Sequence, residues 1–179
     1  MHEQTKLAEA RYFHSRMLAE LNDRERFTYN LSAFLSSARS VLQYACKEAK
    51  TRTGGQQWYD NHMAASPVLS FFRDKRDINI HFEPLKPAQH TNVALTTTVR
   101  LSASVSITHL DGNGNVLYQS PPETREPELR TPDTPPVVTT QYTFADWTGS
   151  EDIVTLSQMY LDELQRVVED GIRNGFLTG

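Results

Sequence analysis

Between residues 22 and 50 the side chains Phe27, Leu31, Phe34, Leu35, Ala38, Val41, Leu42 and Ala45 recur at three- and four-residue spacing. That spacing lays one apolar stripe along about five turns of helix. A stripe so long must be covered by other elements, so the chain is constrained to build a helical bundle around it. Asn22, with Glu25 three residues on, reads as the capping box that starts this helix. Beside the stripe, Ser32, Ala33, Ser36, Ser37 and Ser40 form a small-residue surface that lets another helix approach closely.

An earlier helix over residues 5–21 offers Leu7, Ala10, Phe13 or His14, Met17, Leu18 and Leu21, and the Asn22-Asp23 step turns the chain back. "TRTGGQQ" breaks the pattern with a loop at Gly54-Gly55. A short helix through Trp58, Tyr59 and Met63 follows, and Ser66-Pro67 restarts it. This third helical region ends near His81 to Glu83, because Pro84 disfavours helical geometry in the residue before it.

The period then changes from 3.6 to 2. Val93, Leu95, Thr97, Val99, Leu101, Ala103, Val105 and Ile107 alternate with polar residues, which predicts a long strand. Its odd-numbered face should pack on the bundle and leave Arg100 and the Ser/Thr face wet, since a one-residue slip would expose every apolar side chain at once. "DGNGN" is the turn and "VLYQ" the hairpin partner. Residues 120–136 hold six of the nine prolines and form an extended connection. Val138, Thr140, Tyr142 and Phe144 alternate again as a third strand. A last helix, residues 150–173, carries Ile153, Leu156, Tyr160, Leu164, Val167 and Val168; Thr148 and Glu151 offer its capping box and Asn174-Gly175 its stop.

The expected fold is therefore α+β and mainly α. An antiparallel four-helix bundle, residues 5–83 and 148–174, carries a small antiparallel β-sheet, residues 91–144, inserted between its third and fourth helices. Residues 1–179 form one domain, with residues 120–136 as its proline-rich loop.

Charge and composition limit the function. A net charge of −4 excludes a protein that coats nucleic acid over its whole surface, so any such contact is local. The single cysteine, Cys46, excludes an internal disulfide framework and reads as a core residue. The N-terminus, "MHEQTKLAEARYFHSRMLAEL", carries acids and no continuous apolar core, and no apolar run approaches the roughly 20 residues that span a bilayer. The expectation is a cytoplasmic protein with no membrane association. His14, His62, His90 and His109 show no metal-ligand spacing, "DGNGN" lacks the glycine and terminal glutamate of a calcium loop, and no Gly-rich phosphate loop occurs. No metal or cofactor is expected.

The stretch "FFRDKRDINIHFEP", Phe71 to Pro84, departs from an ordinary surface helix. Leu69, Phe72, Arg76 and Ile80 fall in one line, so Arg76 sits on a stripe of packed residues, where a cation is costly unless paired or open to a cleft. Asp77 and His81, four apart, can share a face, with the carboxylate holding one imidazole tautomer. Arg76 and His81 diverge by about 140° on a regular helix and converge only if the last turn unwinds, which Pro84 favours. The competing reading is an amphipathic helix end with salt-bridged surface charges. Arg73, by register, and Arg39, on the small-residue side of the second helix, are further candidate phosphate contacts, against the plainer reading of Arg39 as solvated or ion-paired.

Arg76-Asp77-Ile78-Asn79-Ile80-His81 resembles the R-x4-6-H motif of the HEPN superfamily, the higher eukaryote and prokaryote nucleotide-binding domains. "FTYNLSAFLSSARSVLQY", Phe27 to Tyr44, resembles the long second helix of small bacterial members, and "WYD" at Trp58 to Asp60 lies between the two blocks as it does in them. The β insertion is outside that family's minimal fold. His81 is followed by Phe82 and Glu83, so the tyrosine found in members paired with nucleotidyltransferase antitoxins is missing. The resemblance implies a dimer that binds RNA and cleaves it without metal, in a toxin, defence or housekeeping role. Arg76 would clamp phosphate and His81 act as general acid or base, supported by Asp77. Cleavage needs a base, an acid and a cation for the charged transition state. One motif histidine per chain is too few, and a two-fold dimer would bring two. The alternative is a noncatalytic dimeric scaffold whose bundle and β insertion hold a protein partner.

Overall fold

Helices α1 (His2–Ala19) and α2 (Arg24–Ala49) form a helical hairpin, and every apolar residue of the α2 stripe named above is fully buried. This computed structural model describes residues 2–81, 87–94, 106–121 and 137–178, the side chains of residues 78–81 excepted. Asp23, not Asn22, caps α2: its backbone is extended and its carboxylate accepts from the Arg26 N–H at 3.0 Å. A carboxylate both satisfies the free N–H and meets the positive end of the helix dipole. Asn22 instead accepts from the Thr140 hydroxyl at 3.1 Å.

The third helical region is two helices, α3 (Gly55–Ala65) and α4 (Pro67–His81), which makes five helices among the described residues. The break falls at Ser66, whose extended backbone is what a following proline favours and whose hydroxyl accepts from the Leu69 N–H. The Gly-Gly step before α3 is required twice over. Gly54 has φ 79°, and a Cβ on Gly55 would lie 1.9 Å from the Ala49 carbonyl oxygen. The start of α3 is thus pressed against the end of α2.

Helix α5 (Ile153–Arg173) closes the helical core, and all six residues of its expected stripe are buried. Its cap is Asp152, which accepts from the Thr155 N–H at 2.8 Å. The expected Thr148/Glu151 capping box does not form; Glu151 is taken by the Trp147 indole N–H at 2.7 Å. His14 of α1 lies 3.1 Å from the Val154 carbonyl, and Arg11 donates to Gln165, so α1 and α5 are fastened by polar contacts as well as packing.

The strands are β1 (Ala88–Ala94), β2 (Thr108–Leu110), β3 (Val116–Gln119) and β4 (Val137–Thr143). They form two separate two-stranded sheets among the described residues, β1 with β4 and β2 antiparallel to β3. The β2–β3 turn falls on "DGNGN", where Asp111 accepts from the N–H groups of Asn113 and Asn115 at 2.8 Å. Residues 95–105 of the expected long strand and 122–136 of the proline-rich connection lie outside the described residues.

Of the expected odd-numbered face of residues 93–107, Val93 is 55% and Ile107 57% exposed, and the residues between 94 and 106 lie outside the described residues. The strand face that enters the helical core belongs to β4. Tyr142 stacks on Phe27 with centroids 3.8 Å apart and donates to the Leu21 carbonyl, and Thr140 and Phe144 are buried with it. The chain divides into two compact units, residues 1–91 with 140–179 and residues 92–139. No helix among the described residues is long and apolar enough to cross a membrane.

Candidate anion-binding cleft

Three cations, Arg73, Lys75 and Arg76, fall on one turn of α4 and meet three different environments. Lys75 is 8% exposed; its ammonium lies 2.6 Å from Asp146 and about 5 Å from the rings of Phe71 (5.2 Å) and Phe144 (5.1 Å). An aromatic cage and a carboxylate satisfy that charge and pin α4 to the segment before α5. Arg76 donates to Asp77 at 3.0 Å, while its Nε is buried with no hydrogen-bond partner. Asp77 therefore holds the arginine; the His81 side chain lies outside the described residues, as does that of Ile80.

Arg73 donates through Nε to its neighbour Asp74 at 3.0 Å and lines a cleft of about 370 Å³ between α2, α3 and α4. Arg39 of α2 lines the same cleft, with Tyr59, Asp60, Met63 and Ala64 of α3 and Ser70 of α4. The two arginines proposed from sequence as extra phosphate contacts thus share one cavity, and Arg76 is not among its lining residues. α3 creates the cleft, because its close start against α2 sets its Tyr59 face beside Arg39.

Arg39 is half-buried, and no carboxylate pairs with it among the described residues. Its Nε is buried without a partner, and its Nη1 comes 3.5 Å from the Tyr59 hydroxyl. Deeper in, the Tyr160 hydroxyl is fully buried and unpartnered; burial pushes its ionisation well above the usual phenol range, with the Arg39 charge opposing. Tyr160 therefore stays neutral, and the Arg39 charge is left for the cleft. A half-buried cation without a counter-ion is costly, and such sites commonly receive an anion from solution.

The rest of the lining is asymmetric. The Ser70 hydroxyl is already committed to the Met63 carbonyl at 3.1 Å, and one Asp60 oxygen accepts from Gln56 at 2.7 Å. The cleft thus offers two guanidinium groups, a phenol O–H and one carboxylate, together with the apolar side chains of Met63 and Ala64. Two guanidinium forks suit the oxygens of a phosphate or carboxylate. Among the described residues no group of three His, Cys, Asp or Glu side chains is placed to hold a metal ion.

Sequence reasoning missed the cleft itself because Met63 and Ser70 carry no motif, and Tyr59 and Asp60 entered it only within the "WYD" block, with no site role attached. The available signal was positional: Tyr59 and Met63 lie one turn apart on the short α3. A second cluster was also missed. Asp170 of α5 accepts from the Trp58 indole at 2.7 Å and lies 2.9 Å from His62, and Trp58 stacks on Phe176 at 5.2 Å. The indole N–H, and then His62, hold the Asp170 carboxyl below the usual carboxylate range. This latch fastens α3 to the end of α5, and so holds the cleft's α3 wall in place. His62 is structural, as its lack of metal-ligand spacing suggests. The chain matches no protein-family model, no curated protein and no solved structure.

Proposed function

We propose that the protein binds RNA through its phosphates at the α2–α3–α4 cleft and the adjoining end of α4, and cleaves it without metal. Arg39 and Arg73 hold phosphate in the cleft. Arg76 clamps the scissile group and His81 acts as acid or base, the second histidine coming from a two-fold partner chain. The observation that carries the reading is Arg39: a half-buried guanidinium with no counter-ion among the described residues, sharing a cavity with a second arginine. The negative net charge is no obstacle, because the cation pair is local.

The test is an RNA cleavage and binding assay in EDTA with the wild type, His81→Ala, Arg76→Ala and Arg39→Gln proteins. Cleavage is expected to fall by at least about 100-fold for His81→Ala. Arg39→Gln is expected to weaken binding and lower the slope of log affinity against log salt by about one phosphate's worth. Equal cleavage by wild type and His81→Ala removes the catalytic claim. A second reading, a noncatalytic module that holds a protein partner, is favoured by the exposed apolar side chains of the β2–β3 hairpin, Leu110, Val116, Leu117 and Tyr118. It is what remains if none of these proteins binds RNA.

A further inference from the structure

Seen as a container, the α2–α3–α4 cleft has a capacity and a polarity that narrow its occupant. Its volume, about 370 Å³, lies at the low end of the about 300–1,000 Å³ of small-molecule pockets. It has room for one nucleotide unit. A strand running through would carry several phosphates past the lining, and the lining includes the Asp60 carboxylate, which repels a phosphate.

We infer that the cleft is specific for a single nucleotide bearing a terminal phosphomonoester, either a free nucleoside monophosphate or the phosphorylated end of an RNA strand. This rests on the reading of the cleft as a phosphate site and names its ligand. A phosphomonoester carries about −1.5 to −2 charges near neutral pH, where a diester carries one. Arg39 and Arg73 match that dianion. The Tyr59 hydroxyl accepts from Arg39, so its own proton is free to donate to a third phosphate oxygen. Asp60 has one oxygen engaged by Gln56, which leaves the other to accept from a sugar hydroxyl or a base N–H. Met63 supplies a soft, polarisable thioether for the face of a base. Arg39 is preorganised for this task, because its Nε is buried, which restricts the freedom of its guanidinium group.

Calorimetric titration with uridine monophosphate, uridine, inorganic phosphate, and one short oligoribonucleotide with and without a terminal phosphate tests the inference. The monophosphate is expected to bind at least about tenfold more tightly than either uridine or inorganic phosphate, and the phosphorylated oligonucleotide more tightly than its unphosphorylated twin. A phosphorylated oligonucleotide that competes with the monophosphate identifies the strand end as a ligand; monophosphate binding without that competition confines the site to free nucleotides. Arg39→Gln and, independently, Arg73→Gln should each weaken monophosphate binding by about tenfold, while Arg166→Gln, on an exposed position of α5 away from the cleft, leaves it unchanged. Arg73 is surface-placed, so its variant serves even if Arg39→Gln fails to fold. Equal binding of the two oligonucleotides together with no monophosphate binding, equal binding of uridine and its monophosphate, or unchanged affinity in the Arg73→Gln protein overturns the inference. Failure of the RNA cleavage reading looks different: the His81→Ala and wild-type proteins then behave alike while monophosphate binding persists.

Discussion

At the scale of residues, the same charged types serve opposite ends according to what surrounds them. Lys75 is neutralised by Asp146 and wrapped by Phe71 and Phe144, so it contributes to packing and nothing to the surface field. Arg39 has no such compensation among the described residues and faces a cavity. Asp170 belongs with Lys75: it is structural, and its effect depends on pH. Its carboxyl pKa is lowered in the folded chain, first by the Trp58 N–H and then by His62. A depressed folded value means that the stabilisation is fully present above the unfolded value, about 3.9, and is lost as pH falls through the folded one. Urea midpoints measured from pH 6 down to pH 2.5 should therefore show the gap between wild type and Asp170→Asn closing below about pH 4. Parallel curves for the two proteins would show that the ionised carboxylate contributes nothing. No change in that gap is expected above pH 5 from Asp170 itself, because it is ionised in both states there.

At the scale of elements, the Gly54-Gly55 step shows how two neighbouring glycines answer different needs. Gly54→Ala places a side chain at positive φ with open space around it, and is expected to cost about 1 kcal/mol. Gly55→Ala drives a Cβ to 1.9 Å from a backbone oxygen. The roughly 1 kcal/mol of helix propensity gained by alanine does not offset a clash with main chain that cannot rotate away. Thermal unfolding should rank the proteins wild type, then Gly54→Ala, then Gly55→Ala, and a reversed order of the two variants would refute this account of the α2–α3 junction. Helix positions were legible from sequence because the 3.6-residue period of Phe27 to Ala45 and of Ile153 to Val168 is a local property. The caps were misassigned, by one residue at α2 and by four at α5, because Asn22 and Asp23, or Thr148 and Asp152, are all acceptable caps, and Thr140 and Trp147 decided between them from outside the helix. The β2–β3 hairpin and β4 were legible from "DGNGN", "VLYQ" and the alternation at residues 138–144, but β1 starts at Ala88, ahead of the strand expected from Val93, and the partners of the strands were not legible; β4 buries Tyr142 because Phe27 is there to receive it. Arg39 and Arg73 were each visible as candidates. Their meeting depends on where α3 sits, which no local pattern encodes.

At the scale of the whole molecule, the proposed acid and base come from two copies of His81, so activity should require a two-fold dimer with both histidines at one cleft. Sedimentation of the active protein should give twice the 20.4 kDa chain mass, and mixing inactive Arg76→Ala and inactive His81→Ala chains should restore part of the activity if the site is shared. An active monomer would refute the shared site. The division into two units carries a separate expectation. Because the helices and the Tyr142 face of β4 fall in one unit, replacing residues 92–139 by a short linker should leave the helical circular dichroism and cooperative melting in place. Loss of helical signal would show that the second unit is needed to complete the core.

The hydrogen-bonded pair His90 and Thr143, one on β1 and one on β4, has a meaning for the order in which the polypeptide assembles. Helices α1 to α4 are contiguous in the chain and can associate as soon as they exist, whereas α5 must wait for the ends of a 48-residue excursion, residues 92 to 139, to meet. Closing such an excursion adds only about 0.6 kcal/mol for each doubling of its length, so equilibrium stability is nearly indifferent to how long it is. The seam formed by β1 and β4 is therefore a splice point, at which evolution or an engineer can exchange one cassette for another while the helical unit keeps its shape. Lengthening the cassette should register in the rate at which α5 arrives, and hardly at all in the melting temperature.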